Sequence, residues 1–168
     1  MSLAWIGLGA NLGRPEATLT SALLALDALP STRLKAVSPA YWTPPWGDTE
    51  QPEFLNAVAC VRTELAPREL LRALQDVELR LGRERGQRRW GPRVIDLDVL
   101  LVDDQIEESP ELTLPHPRLQ DRAFVLVPLS DLAPDLTVPG QGRVSELLDA
   151  LPDEEMGGIR PASGLAWR

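Results

Sequence analysis

The chain has 168 residues, 43% of them hydrophobic, so it fits one domain with a buried core and does not have the composition of a disordered chain. Its net charge of −8 opposes a general affinity for nucleic acid or anionic membrane, because the mean field repels phosphate. The single cysteine, Cys60, excludes an intrachain disulfide. The chain has neither a leader-like N-terminus nor an apolar run of about 20 residues, so we expect a cytoplasmic protein.

The first half of the chain predicts a strand, a helix and two extended segments. Residues 3–10 are apolar and run into a glycine-rich turn, after which Pro15 suits the first turn of a helix. Residues 33–42 and 54–65 predict strands, and the proline pair at 44–45 between them excludes a helix. The helix has leucines at helical spacing, which predict one apolar face: Leu19, Leu23, Leu26 and Leu29.

The second half repeats this alternation. Pro67 opens a helix that ends near Gly82, an arginine-rich loop follows at 83–93, and residues 94–102 predict a central strand. Three shorter elements are predicted at 112–114 (strand), 123–132 (helix) and 144–151 (a helical turn or two).

The order β-α-β-β-α-β predicts an α+β fold, with a ferredoxin-like antiparallel sheet and helices packed mainly on one side. We expect a single domain over residues 1–168. Within it, residues 152–168 have few packing candidates and predict a loosely held tail.

Asp96 and Asp98 are the strongest local indication of chemistry. Residues two apart on a strand point to the same face, so the two carboxylates lie side by side. Their mutual repulsion is relieved by a cation, and oxygen ligands of this kind suit Mg²⁺. The alternative is a pair of solvated acids on a sheet edge, but the surrounding run is too apolar for that position.

An arginine cluster leads directly into this acidic strand. Alone, such a run is typical of a solvated face or a nucleic-acid patch. Beside a metal site it predicts phosphoryl transfer, which depends on positioning and charge stabilisation. Trp90 in this polar loop predicts closure over a ligand. The arginines are Arg80, Arg83, Arg85, Arg88, Arg89 and Arg93.

Several blocks together resemble a known family. The run Arg89-Trp90-Gly91-Pro92-Arg93-Val94-Ile95-Asp96-Leu97-Asp98-Val99-Leu100 is similar to the signature of the 6-hydroxymethyl-7,8-dihydropterin pyrophosphokinases. Four shorter blocks are similar to other family blocks in the same order, so the resemblance covers about residues 3 to 137. They are Gly9-Ala10-Asn11-Leu12-Gly13, Tyr41-x-Thr43-Pro44-Pro45, Gln51-Pro52-x-Phe54-Leu55-Asn56-Ala57 and Leu114-Pro115-His116-Pro117.

The resemblance implies a Mg²⁺-dependent diphosphotransferase of folate biosynthesis, which moves the diphosphate of ATP to the pterin hydroxymethyl group and releases AMP. Asp96 and Asp98 would bind two Mg²⁺ ions, while Arg83 and Arg93 would stabilise charge on the transferring group. The arginine loop would fold over the site and exclude water. The implied ATP contacts are Glu78, Arg83, Arg85, Trp90, Arg93, Val99, Thr113, His116 and Arg122.

The same resemblance implies a pterin pocket. The rings of Phe54 and Phe124 would sandwich the flat heterocycle, and the Asn56 amide would donate to and accept from its amide edge. The implied pterin set is Thr43, Pro44, Trp46, Phe54, Asn56, Trp90 and Phe124. This sequence departs from the family pattern at four positions: Ala10 in place of serine, Phe54 where tyrosine is common, Trp46 where a smaller residue is often found, and Gly86 where a basic residue can occur.

Two other functions stay open at this point. An RNA-binding ferredoxin-like module fits the element order and the arginine loop, although the net charge of −8 opposes it. A metal-dependent phosphohydrolase fits the aspartates and arginines, but it does not account for the 43–45 block or Asn56. We expect no nucleic-acid or membrane partner, and we expect a monomer.

Overall fold

The computed structural model describes residues 1–45, 50–82 and 94–162. The predicted alternation of strands and helices is present in these residues. In chain order the elements are β1 (Ser2–Ala10), α1 (Pro15–Asp27), β2 (Thr32–Val37), β3 (Tyr41–Thr43), β4 (Phe54–Thr63), α2 (Pro67–Arg80), β5 (Asp96–Val102), β6 (Glu107–Glu108), β7 (Thr113–Leu114), α3 (Ala123–Leu132), β8 (Thr137–Val138), β9 (Gly142–Arg143), α4 (Val144–Asp149) and β10 (Arg160–Pro161).

The main sheet has the predicted ferredoxin-like arrangement. Its strand order is β10-β3-β4-β1-β5, β2 also pairs with β4, and every pair is antiparallel. β4 is therefore central: it pairs with β1 along one side, and with β3 and then β2 along the other. This confirms the α+β, ferredoxin-like prediction.

The two long helices pack on one face of the sheet. Proline occupies the first turn of both helices, and the N–H of Ala66 donates to Glu69 Oε1 at the start of α2. Leu19, Leu23 and Leu26 of α1 are buried, as are Leu70, Leu74 and Val77 of α2. The fourth leucine of the predicted stripe, Leu29, is also buried but lies just beyond the end of α1. These side chains belong to one core with alternate residues of β1 and β4, so the apolar face of each helix packs on one apolar face of the sheet.

A second, smaller core lies on the opposite face, beneath α3 and α4. Val58 belongs to it, whereas its neighbours Ala57 and Ala59 belong to the first core, which places the two cores on opposite sides of β4. Leu126 and Leu129 of α3 are fully buried there. The sequence predicted helices mainly on one side, and this holds for the long pair α1 and α2.

Three segments differ in detail from the predictions. The strand predicted as central at 94–102 is β5, which ends the main sheet in the described residues; it is apolar because the two cores cover both of its faces. The extended stretch 33–42 is two strands, because Pro39 follows Ser38, whose hydroxyl accepts the N–H of Val58 at 2.9 Å. Within the segment 152–168, the described part ends in β10, which pairs with β3 and extends the main sheet. None of the helices in the described ranges has the length and apolar character needed to cross a membrane.

Candidate active site

Asp96 and Asp98 lie on the face of β5 that points away from α1 and α2. Leu97 and Val99, which alternate with them, are buried in the core beneath those two helices. Asp96 pairs in register with Gly9 of β1, and Asp98 with Gly7. Both carboxylates therefore stand beside a residue of β1 that carries no side chain of its own.

Gly9 is flanked on its other side by Asn56 of β4, so one row crosses three strands from amide to glycine to carboxylate. A Cβ added at Gly9 would lie 2.6 Å from Asn56 Oδ1, a distance that no real contact tolerates. A Cβ at Gly7 would meet Leu100 at 3.4 Å, which is ordinary contact. Of these two glycines, Gly9 is therefore the one required by its surroundings, since the Asn56 carbonyl extends over it.

Asn56 and Thr43 form the buried polar part of the predicted pterin set. Asn56 is 8% exposed and Thr43 is 2% exposed. The Asn56 amide Nδ2 donates to Thr43 Oγ1 at 2.7 Å, which fixes which way the amide points. Phe54 lies opposite Thr43 in the pairing of β3 with β4, on the same face as Asn56.

Phe124 and Arg122 bring the start of α3 to this face. Phe124 packs against the second core and is half-buried. The guanidinium carbon of Arg122 lies 5.4 Å from the centre of the Phe124 ring, within cation–π range. The structure thus places Phe54 and Phe124 on one side of the sheet, and their joint contact with pterin stays a prediction.

His116 stands close to this cluster. Its backbone N–H donates to Leu100 O at 2.9 Å, which ties it to β5, and its Nδ1 accepts the N–H of Arg118 at 3.2 Å. Burial, aided by the charge of Arg122, lowers the pKa of His116 to about 4, although Asp96 acts in the opposite direction. The ring is therefore neutral at pH 7, and the bond at Nδ1 leaves the proton on Nε2 as a donor.

Glu78 of α2 is buried on the helix side of the sheet, at 6% exposure. Its Oε2 accepts the N–H of Leu97 at 2.8 Å. Leu97 is the residue between the two aspartates, so this contact acts on the strand that carries them. Its predicted contact with ATP stays a prediction.

The other predicted residues have mixed placements. The Val99 side chain is 3% exposed in the core beneath α1 and α2, so only its backbone on the edge strand β5 is available to a nucleotide. Thr113 is half-buried on β7, and Pro44 is exposed where β3 ends. Five predicted residues lie outside the described residues: Trp46, Arg83, Arg85, Trp90 and Arg93.

Two pairs of residues that support the site were not among the predicted site residues. Asn11, 4% exposed, donates through Nδ2 to Gln51 Oε1 at 2.8 Å and to Pro52 O at 2.9 Å. Asn11 and Gln51 lie in two of the blocks that carry the resemblance, which was the signal that could have found them. Tyr41 donates its hydroxyl to Asp131 Oδ2, which links β3 to α3, and no sequence pattern indicated that pair.

The donor set fits magnesium. In the described ranges no group of three or more His, Cys, Asp and Glu side chains gathers as a metal cluster. A pair of carboxylates is what Mg²⁺ uses when water and substrate phosphates complete its shell.

A groove of about 440 Å³ with Arg33, Lys35 and Arg62 on its wall lies at the far end of β2 and β4, away from these aspartates.

Comparison with known proteins supplies the family. Residues 5–134 match the model of the 7,8-dihydro-6-hydroxymethylpterin-pyrophosphokinases. The chain is 51% identical over 150 residues to a 2-amino-4-hydroxy-6-hydroxymethyldihydropteridine pyrophosphokinase of Pseudomonas aeruginosa, covering 89% of this chain and 92% of that one. It is 42% identical over 161 residues to an enzyme of the same name from Haemophilus influenzae, covering 96% of this chain and 100% of that one.

The fold agrees with a solved structure. The wild-type Plasmodium falciparum HPPK-DHPS superposes with a TM-score of 0.66 at 14% identity, over 88% of this chain. This chain spans 44% of that longer protein, so the likeness concerns one part of it and shows the fold alone. The family model and the two close relatives decide the family: the chain belongs to the 7,8-dihydro-6-hydroxymethylpterin-pyrophosphokinases.

Proposed function

We propose that Asp96 and Asp98 form the magnesium centre of this pyrophosphokinase, on the face of the sheet that points away from α1 and α2, beside Gly7 and Gly9. The reaction follows from the family: the chain transfers the diphosphate of ATP to hydroxymethyldihydropterin in folate biosynthesis. The observation that carries the proposal is the pair of carboxylates on one face of β5, each set opposite a glycine of β1.

The step is a substitution at the β-phosphorus of ATP. The pterin hydroxymethyl oxygen forms a bond to that phosphorus, the bond from phosphorus to the oxygen bridging to the α-phosphate breaks, and AMP leaves with its electron pair. The hydroxyl proton passes to solvent. Magnesium held by Asp96 and Asp98 would neutralise phosphate charge and make the hydroxyl a better nucleophile; two ions is the number that we propose.

His116 and Arg122 supply donors to the phosphates in this proposal. His116 is neutral, because burial lowers its pKa to about 4, so its Nε2–H donates a hydrogen bond without adding a charge. Arg122 adds the positive charge, since its guanidinium is always protonated. The remaining proposed ATP contacts fall in two groups. The first is Glu78, Val99 and Thr113, and the second is in the arginine loop: Arg83, Arg85, Trp90 and Arg93.

The pterin lies, in this proposal, on Asn56 and Thr43 between the rings of Phe54 and Phe124. The Asn56 amide is held by Thr43, so its orientation is set before the substrate arrives. A flat heterocycle between two aromatic rings gains contact area with little loss of side-chain entropy. Pro44, Trp46 and Trp90 are the remaining proposed contacts.

The test is to mix the protein with 6-hydroxymethyl-7,8-dihydropterin, ATP and Mg²⁺ and to identify the nucleotide product. We expect AMP that depends on pterin and is abolished by EDTA or by Asp96→Ala. ADP or free phosphate in place of AMP would contradict the reaction and favour the phosphohydrolase. Turnover that survives both EDTA and the loss of Asp96 would contradict the proposed metal centre while leaving the reaction intact.

We also propose that the protein works as a monomer in the cytoplasm, where ATP is abundant. Its single cysteine is buried, which suits a reducing compartment. Light scattering at the protein concentration of the assay tests the monomer. A dimer whose dissociation removes activity would contradict it.

A further inference from the structure

We propose that the chain after α4 positions the pterin pocket, through a C-terminal brace formed by residues 158–162. The brace contacts both described ends of the β3–β4 loop, at Pro44 and at Glu53. This inference rests on the proposed function, because Pro44 and Phe54, which adjoin those contacts, are pterin residues only in that proposal. The brace lies beyond residues 5–134, the part that matches the family model.

The brace is joined to β3 by backbone pairing. Arg160 pairs with Trp42 and Pro161 with Tyr41, and the N–H of Ala162 donates to Ala40 O at 2.9 Å. β3 has only three residues and pairs with β4 along its other edge, so in the described residues the brace gives it a second partner strand. A short strand with partners on both sides is a stiffer support than an edge strand.

The second contact is an ion pair with the far end of the loop. Arg160 Nη1 lies 2.7 Å from Glu53 Oε2, and Nη2 lies 2.6 Å from Oε1, so the pair is bidentate. This geometry makes it more than an ordinary surface ion pair. Glu53 directly precedes Phe54, so the pair acts on the backbone from which the predicted pterin ring projects.

The third contact involves a glycine. Gly158 has a φ of +78°, and a Cβ placed on it would lie 2.6 Å from Cγ of Pro44. Glycine is required there on both counts, since other residues rarely adopt that φ and none would fit against the proline ring. Pro44 follows Thr43, whose hydroxyl holds the Asn56 amide.

The brace therefore adds to the contacts of Asn11, which follows β1 and hydrogen-bonds to Gln51 and Pro52 at the end of the β3–β4 loop that contains Glu53. Asn11 lies within residues 5–134, which match the family model, and the brace lies beyond them. Glu53, Gly158 and Arg160 are positioning residues in this proposal: they reach the pterin only through Phe54, Thr43 and Pro44.

The experiment measures KM for pterin, KM for ATP and kcat in full-length variants. We expect Arg160→Gln and Glu53→Gln each to raise the pterin KM about two- to fivefold while leaving the ATP KM unchanged. Gly158→Ala should raise it about fivefold or more, because the new methyl displaces Pro44. The charge exchange Glu53→Arg with Arg160→Glu should restore much of the loss, which a merely disordered segment would not do.

Arg143→Gln is the matched control. Arg143 forms an exposed ion pair with Glu146, and its side chain is 58% exposed, against 56% for Arg160. We expect no change in its pterin KM. An unchanged pterin KM in both Arg160→Gln and Gly158→Ala, or an equal rise in Arg143→Gln or in the ATP KM, would overturn the inference.

Direct binding separates this inference from the reaction itself. Pterin fluorescence is titrated with wild-type and variant protein, with Mg²⁺ and a non-hydrolysable ATP analogue present. A wild-type protein that binds pterin but forms no AMP would contradict the proposed reaction. In that case a weaker pterin affinity in Arg160→Gln would still support the brace, and an unchanged affinity would overturn it. A wild-type protein that binds no pterin would overturn both.

Discussion

Glu78 accepts the backbone N–H of Leu97 at 2.8 Å, and Leu97 separates Asp96 from Asp98. Among the described residues, β5 pairs with β1 alone, so the N–H of Leu97 on its outer edge meets no strand there. A buried carboxylate from α2 takes the place of that strand. A hydrogen bond from the helix side of the sheet thus holds the backbone between the two proposed metal ligands.

We expect Glu78→Ala to lower kcat about tenfold and to raise the Mg²⁺ concentration that gives half the maximal rate, since a buried N–H left unpaired costs about 1–3 kcal/mol. Glu78→Gln keeps an oxygen acceptor and should retain most activity. Magnesium titrations of the two variants make the measurement. Equal losses in both variants would mean that the negative charge of Glu78 matters more than this hydrogen bond. A direct contact between Glu78 and the magnesium–nucleotide complex would have that effect.

The row from Asn56 through Gly9 to Asp96 gives a second prediction. Gly9→Ala puts a methyl 2.6 Å from Asn56 Oδ1, so the amide must turn and its bond to Thr43 is lost. We expect the pterin KM to rise about tenfold, as the loss of one buried hydrogen bond to a ligand allows.

Gly7→Ala is the control for that substitution. It lies two residues away on the same strand and face, and its new methyl meets Leu100 at 3.4 Å. We expect pterin affinity close to that of the unchanged protein. If the two variants lost affinity equally, the contact with Asn56 would not be the reason.

The single histidine makes a pH prediction simple to test. Burial lowers the pKa of His116 to about 4 from its ordinary 6.5, so the native ring stays neutral where the unfolded chain binds a proton. The unfolded state then binds more protons between these values. Stability from this group is therefore complete above pH 6.5 and falls as the pH drops toward 4.

An NMR titration of the lone imidazole measures this directly, because no other histidine contributes signals. We expect a midpoint near 4 in the free protein. Urea unfolding at a series of pH values should show the stability rising with pH across the same window. A midpoint near 6.5 would mean that His116 is solvated and that its proposed role as a neutral donor is wrong.

The single tyrosine gives a matching prediction at high pH. Burial, together with the hydrogen bond to Asp131, raises the pKa of Tyr41 from 10.0 to about 12. The native state holds this proton longer than the unfolded chain, so the stability it supplies is present below pH 10 and is lost as the pH rises toward 12.

Tyrosinate absorbance follows this ionisation without overlap from a second phenol. We expect Asp131→Asn to lower the midpoint, because the negative charge that opposes ionisation is gone. Tyr41→Phe should destabilise the protein by about 1 kcal/mol, the usual cost of one such hydrogen bond. A midpoint that Asp131→Asn leaves unchanged would show that burial alone sets the pKa.

The sequence by itself determined the order of the main elements and the family. Prolines at the helix starts, leucines at helical spacing and apolar runs are local signals, and each is read within a dozen residues. Asp96 and Asp98 were also found in this way, because the alternation of a strand puts neighbouring odd or even positions on one face. The run of residues 89–100 then carried the resemblance.

Only the tertiary structure decided which distant residues meet. Glu78 and Leu97, Tyr41 and Asp131, and Glu53 and Arg160 lie far apart in the chain, so no local pattern relates them. The same holds for β10, whose two residues are too few to show the alternation of a strand and acquire their structure by pairing with β3. A strand this short does not form by itself, because its backbone N–H and C=O groups bond to water about as well as to another strand. It therefore depends on the packing and pairing that its partner strand provides.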